Sequence, residues 1–158
     1  MTFCTENLII GFSTCAVHLG FITFNHSITD YRFMEHANSF RDLHVYKLAR
    51  QLAKEIFDIS KGFPSEEKYS LTDQIRRSSR SVGAQIAEAW AKRRYEAHFV
   101  LKLTDADGEQ QETQHWLGTA QECLYITPEL EANLLSRYGK VGKMLQSMVN
   151  KADSFCNR

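Results

Sequence analysis

The chain has 158 residues, 43% of them hydrophobic and 24% charged, which suits a single globular domain with a real core and is too short to expect two. Lys plus Arg and Asp plus Glu each number 19, so the formal net charge is zero and the direct argument for nucleic acid that a strongly basic total would give is absent. Any such contact has to come from where the charges are placed, or from several copies acting together.

Residues 1–38 read apart from the rest, as a leader of uncertain nature. The run from Leu8 to Phe24 is apolar with Gly, Ser, Thr and His mixed in, and Glu6 is the one early charge. A signal peptide needs a basic leading segment and a small-residue cleavage site, and neither is present. Ser13, Thr14, His18 and Thr23 break the run below the ~18 consecutive apolar residues of a membrane span. Three readings stay open: a membrane-inserted segment, a non-native or over-annotated leader ahead of a true start at Met34, and a short pair of strands or an appendage packed on the domain. The expectation carried forward is no membrane partner and a cytoplasmic protein.

A bundle domain is expected over residues 39–155. The first helix should begin near Phe40 to Asp42 and run to about Ser60, because Leu43, Tyr46, Ala49, Leu52, Ala53, Ile56 and Phe57 recur at three and four. Gly62 suits a left-handed cap after it. Ser65 can cap a second helix whose first turn holds Glu66 and Glu67, running to about Ala91. Leu71, Ile75, Val82, Ile86 and Trp90 form its stripe, and Ser78, Ser79, Ser81, Gly83, Ala84 and Ala87 between them allow another helix to come close.

The apolar phase shifts at Lys92 to Tyr95, which marks a turn. A third helix is expected from about Glu96 to Tyr125, on Phe99, Leu103, Ala106, Gln110, Thr113, Leu117, Ala120 and Leu124, with Gly108 as a point of close helix contact. Thr127-Pro128 starts a fourth helix, expected to reach about Ser154 on Leu130, Leu134, Tyr138, Val141, Leu145 and Val149. No segment after residue 40 alternates as a strand would. The predicted fold is all-α, an antiparallel up-and-down four-helix bundle.

Catalytic and metal chemistry find little support. There is no glycine-rich phosphate loop, no G-x-S-x-G elbow and no HExxH. Cys4, Cys15, Cys123 and Cys156 form no CxxC pair, so neither zinc nor a disulfide framework is expected. Glu112 and His115 have the Glu-x-x-His spacing of di-iron bundles, but no second such pair exists, and Glu112 reads better as an ion-pair partner. No catalytic residue, metal or cofactor is expected.

The charges divide into two groups. Counting back from the turn sets Arg76, Arg77 and Arg80 level with about residues 106–111, beside Asp105, Asp107, Glu109 and Glu112. An arginine–carboxylate lattice within or across protomers is the expected use of those charges, with a nucleic-acid contact by the same arginines as the lesser alternative. Lys92, Arg93 and Arg94 lie about 18 Å further along the helix, at a turn with Tyr95 and His98 beside them. A basic loop tip with an aromatic neighbour suits phosphate contact and base stacking, and a solvated turn is the plainer alternative.

Four motifs then carry a resemblance: Phe40-Arg41-Asp42-Leu43; Phe63-Pro64 with Glu67 and Tyr69; QIRRSSRSVGAQIAEA; and Asp107-Gly108 with Glu112-Thr113. Residues 40–150 resemble the bacterial four-helix bundle proteins encoded in intervening sequences of 23S ribosomal RNA genes. They are similar, more distantly, to the accessory variability protein of diversity-generating retroelements. The resemblance implies a homopentameric ring with a central channel, and for the retroelement relative a basic surface that binds nucleic acid and a reverse transcriptase. The chain departs from the pattern where it has Gln85-Ile86-Ala87-Glu88-Ala89 for Asn-Ile-Ala-Glu-Gly, and Gly108-Glu109 for Gly-Ser. The expected function is a non-catalytic ring that binds RNA or a reverse-transcriptase-like nucleoprotein through Lys47, Arg50, Lys54, Lys92, Arg93 and Arg94. A scaffolding homo-oligomer that binds only protein is the alternative.

Overall fold

A computed structural model of the chain describes residues 37–156, and the leader with its three readings lies almost wholly outside the described residues. The described residues contain helices and turns and no strand. The domain opens with a single 3-10 turn, Phe40–Asp42. The Ser39 hydroxyl accepts from the Arg41 N–H at 3.3 Å while the Asp42 carboxylate accepts from the Ser39 N–H at 2.9 Å, so both ends of the cap are satisfied. Leu43 then takes an extended conformation, and α1 (His44–Ile59) begins two residues beyond the predicted start.

Of the stripe predicted for this helix, Leu43, Ala49, Leu52 and Ile56 are buried, together with Val45. Tyr46 and Ala53 are half-buried and Phe57 is 36% exposed. One margin of the apolar face is therefore left uncovered by the other described residues.

A 3-10 turn, Ser60–Gly62, ends α1. Gly62 does not adopt the left-handed conformation expected of it. The left-handed residue is Leu124 (φ 62°), which closes the third helix and stands exposed, outside the stripe to which the spacing assigned it. The second helix also starts later than predicted. Ser65–Glu67 form a 3-10 turn, and the Glu67 carboxylate folds forward onto the Ser70 hydroxyl and the Leu71 N–H (3.3 Å), so α2 runs Leu71–Lys92. Those two hydrogen bonds hold the Glu67 carboxyl below its ordinary range, the Ser70 bond most strongly.

The remaining long helices are α3 (Glu96–Glu122) and α4 (Pro128–Asn150). Every predicted stripe position of α3 from Phe99 to Ala120 is buried. The Thr127 hydroxyl accepts from the Leu130 N–H at 3.3 Å, which caps α4 as its sequence signal predicts. The chain breaks at Lys151, short of the expected Ser154, and a short α5 (Ala152–Cys156) lays Phe155 against Phe99 with ring centroids 5.4 Å apart.

Cross-helix pairings fix the directions. Ser78 meets Thr113 and Glu88 meets Lys102, so residue numbers rise on α2 as they fall on α3. Gly118 faces Glu131 and Gly142 faces Gln110, the same opposition between α3 and α4. Tyr46 covers Gly83 and Ser60 meets Arg76, and α1 in turn touches α4 through Glu55 and Arg137. Each helix therefore packs on its chain neighbours and the ring of contacts closes from α4 back to α1, the up-and-down bundle that short links impose.

Candidate nucleic-acid interface

The spacing of Lys47, Arg50 and Lys54 puts them on one exposed face of α1. Lys54 bonds Asp58 at 2.6 Å, and Lys61 bonds the same carboxylate at 2.7 Å. The Lys54 bond, then that of Lys61, pulls the Asp58 carboxyl down to about 2. Arg50 Nη1 donates to Tyr46 Oη at 3.4 Å, and Lys47 stands clear of any carboxylate among the described residues.

Across from them, Arg76 Nε donates to Ser60 Oγ at 2.7 Å. The guanidinium groups of Arg76 and Arg80 stand over the Phe57 ring, 5.0 and 5.5 Å from its centroid, and Lys61 Nζ lies 4.5 Å from it. One half-exposed aromatic ring thus collects three cations.

The lattice expected between Arg76, Arg77, Arg80 and the acidic run of α3 takes a different form within the chain. Arg77 reaches Glu112 at 3.6 Å, both side chains in solvent contact. Arg76 and Arg80 are four apart and share the flank of α2 that faces α1, about 100° and about 60° around the helix from Arg77, so they turn to Phe57 instead. The carboxylates find other partners. Asp105 pairs with Lys102 at 3.1 Å, and Lys102 also binds Glu88 and Gln85, each at 3.1 Å. Asp107 accepts from Gln110 and Gln111 at 3.0 and 3.1 Å. Glu109 is raised above the ordinary carboxylate range, first by burial and then by Glu112.

Two of the strongest bridges were not anticipated. Lys102 is the one Lys or Arg on α3 and sits in an acidic run, a signal the sequence does carry. Glu55 and Arg137 form a two-pronged pair from α1 to α4, with Nη2 to Oε1 at 2.7 Å, and 82 residues of separation leave no local signal for it.

At the α2–α3 turn, Arg93 Nη1 donates to the Trp90 carbonyl at 2.7 Å and its guanidinium lies 4.2 Å from the Trp90 ring centroid. Arg94 lies over Tyr95 at 5.7 Å, and Tyr95, 58% exposed, tilts against His98 at 5.6 Å. Lys92 completes an exposed tip in which cations and flat rings alternate.

The interior is polar where α2 and α3 cross. Thr113 Oγ1 donates to Ser78 Oγ at 2.9 Å inside the core, beside buried Ser79 and Gln110. The Tyr138 hydroxyl is buried there with no hydrogen-bond partner among the described residues, and burial holds it well above the ordinary phenol range. Glu112 Oε1 accepts from Trp116 Nε1 at 3.1 Å, while His115 is exposed against the Trp116 ring. Among the described residues no group of three or more His, Cys, Asp and Glu could hold a metal ion. Gly108, expected at a close contact, faces open space. The glycine of close approach is Gly142, where a Cβ would stand 3.1 Å from Gln110 Nε2 and 3.3 Å from Asp107 Oδ1.

No helix among the described residues is long and apolar enough to cross a membrane. No protein of curated function matches the sequence. The crystal structure of a protein of unknown function from the S23 ribosomal protein family of Bacteroides thetaiotaomicron is similar, with a TM-score of 0.62 and 31% identity over 67% of this chain and 95% of that one. The family model described as 23S rRNA-intervening sequence protein matches residues 41–147, which span all of α1, α2 and α3 and most of α4. With the four-helix order, its capped links and that match together, the chain belongs to the 23S rRNA-intervening sequence protein family.

Proposed function

We propose that this protein is a non-catalytic bundle that assembles into a ring, a homopentamer in the arrangement the family resemblance implies, and binds RNA or a nucleoprotein partner in the cytoplasm. The observation that carries the reading is charge left without a counter-charge on a chain of zero net charge. Lys47, Arg50, Arg76 and Arg80 have no carboxylate within ion-pair reach among the described residues, and neither do Lys92, Arg93 and Arg94. The acidic helix α3 is by contrast tied down by Lys102 and Arg77. Repeated around a ring, the tip cluster makes a wide basic surface from a modest charge per copy. The test is the native mass of the purified protein with and without nuclease treatment. A multimer that loses nucleic acid mass on treatment is expected; a nucleic-acid-free protein that also fails to bind added RNA at low salt would overturn the reading.

A second reading is a scaffold that binds only protein, with the arginines of α2 taken up in pairs between helices, as Arg77 is with Glu112 within the chain. Arg77→Gln separates the two. Loss of the oligomer supports the scaffold, and an intact oligomer that still binds RNA supports the first reading.

A further inference from the structure

Between α1 and α2 runs an open groove of about 470 Å³. Its floor is made of Ala49, Ala53, Gly83 and Ala87, where neither helix carries a side chain long enough to fill the space. Tyr46 and Phe57 wall it, and Arg50, Lys54 and Arg80 rim it. Among the described residues no carboxylate lines it. The margin of the α1 stripe left uncovered by the bundle forms one of these walls.

We propose that this groove seats a nucleotide of a single-stranded RNA, the base displacing the Arg80 guanidinium from the Phe57 ring to lie between that ring and Tyr46, and the phosphates on Arg50 and the freed Arg80. The inference rests on the proposed RNA-binding function and names the seat on the α1–α2 flank. Charge complementarity selects the occupant. The rim offers guanidinium groups whose nearest partners are neutral, a phenol for Arg50 and a phenyl ring for Arg80, so a phosphate replaces no existing ion pair. The size suits one nucleotide: about 470 Å³ is the volume of a small-ligand site. The flat walls suit any base, because stacking on an aromatic ring is sequence-tolerant. Arg80, which the sequence grouped with Arg76 and Arg77 as an assembly residue, thereby joins the RNA-binding side.

The experiment uses the full chain, an oligouridylate probe, and three proteins: the natural sequence, a groove-filled Ala53→Leu/Ala84→Leu variant, and a tip variant with Lys92, Arg93 and Arg94 changed to Ala. Ala84 is exposed and Ala53 half-buried on helices that accept Leu, so the fold is kept, and circular dichroism verifies it. The groove-filled variant should bind the probe about tenfold more weakly with its native mass unchanged, as losing one base-stacking site implies. Photo-crosslinking of the natural protein should mark the peptides holding Tyr46 and Phe57. If filling the groove leaves affinity intact while the tip variant loses it, RNA binding stands and the groove proposal fails. If filling it dissolves the oligomer and spares affinity, a second copy occupies the groove, and the proposal fails. If it changes neither, the groove is empty or covered by the chain's own leader, and the proposal fails. Absence of binding by the natural protein removes both the groove and the function it rests on.

Discussion

The two flanks of α2 are built to different rules. Toward α3 the flank is closed: Ser78 meets Thr113 in the core, and Glu88, Gln85 and Asp105 gather on Lys102, with Arg77 reaching Glu112. Toward α1 it is open, with small residues, ring faces and three arginines, Arg50, Arg76 and Arg80, that find no carboxylate among the described residues. Both flanks come from one helix, and they differ because about 100° of rotation separates Arg77 from Arg76 and about 60° separates it from Arg80. A closed flank holds a fold together. An open, positive one is a surface waiting for a counter-charge.

The largest effect should come from the buried side. Ile86→Ala removes a fully buried side chain from α2 and should cost about 2–5 kcal/mol, read as a fall in the urea midpoint. Glu55→Gln comes next, because it leaves Arg137 with half its bridge; the pair is partly solvated, so a cost of about 1–2 kcal/mol is expected. The bridge also gives a pH signature. The hydrogen bond from Arg137 holds Glu55 below its ordinary value of 4.5, so its stabilisation is full above that value and is lost as pH falls through the lower folded-state value. Thermal melts of Glu55→Gln across acidic pH should show a shallower decline than those of the natural protein. On the closed flank, Thr113→Val unties the Ser78 hydroxyl in the core and should cost about 1 kcal/mol in the same urea titration.

Much of this difference was legible in advance, and the failures have physical causes. Spacing placed the α3 stripe from Phe99 to Ala120 in the core because three- and four-residue steps leave one face to bury. The same rule overreached on α1, where Tyr46, Ala53 and Phe57 fit the period but lie on a margin that no helix among the described residues covers. Helix starts were misread where a side chain competed with the backbone. Glu67 caps from four residues upstream of Leu71, a device that a Ser followed by two Glu does not distinguish from a cap at Ser65. The register of α2 against α3 was legible from the turn, and it brought Arg77 to Glu112. Which flank Arg76 and Arg80 face required the rotation of the helix about its axis, and equal counting from a turn carries no such information. The Glu55–Arg137 bridge needed the closure of α4 onto α1, which no local pattern encodes.

Two smaller effects sharpen the comparison. Gly108 sits inside α3 with nothing within 4 Å of where a Cβ would be, so Gly108→Ala should stabilise by about 0.5–1 kcal/mol, visible as a raised melting temperature. Arg80→Gln on the open flank removes a solvated cation from beside Phe57 and should change stability by less than about 0.5 kcal/mol. A surface whose loss barely touches stability yet weakens RNA binding would be a binding surface and nothing more.

The most direct test is the salt dependence of RNA affinity for matched pairs of charge-removing variants. One pair, Arg50→Gln/Arg80→Gln, lies on the open flank; the other, Arg77→Gln/Lys102→Gln, lies on the closed one. Each lost phosphate contact should flatten the plot of log affinity against log salt by about 0.7 for a single strand, so the open-flank pair should lower the slope by about 1.4 and the closed-flank pair should leave it unchanged. Equal slopes for the natural protein and the open-flank pair, or a change confined to the closed-flank pair, would contradict the account.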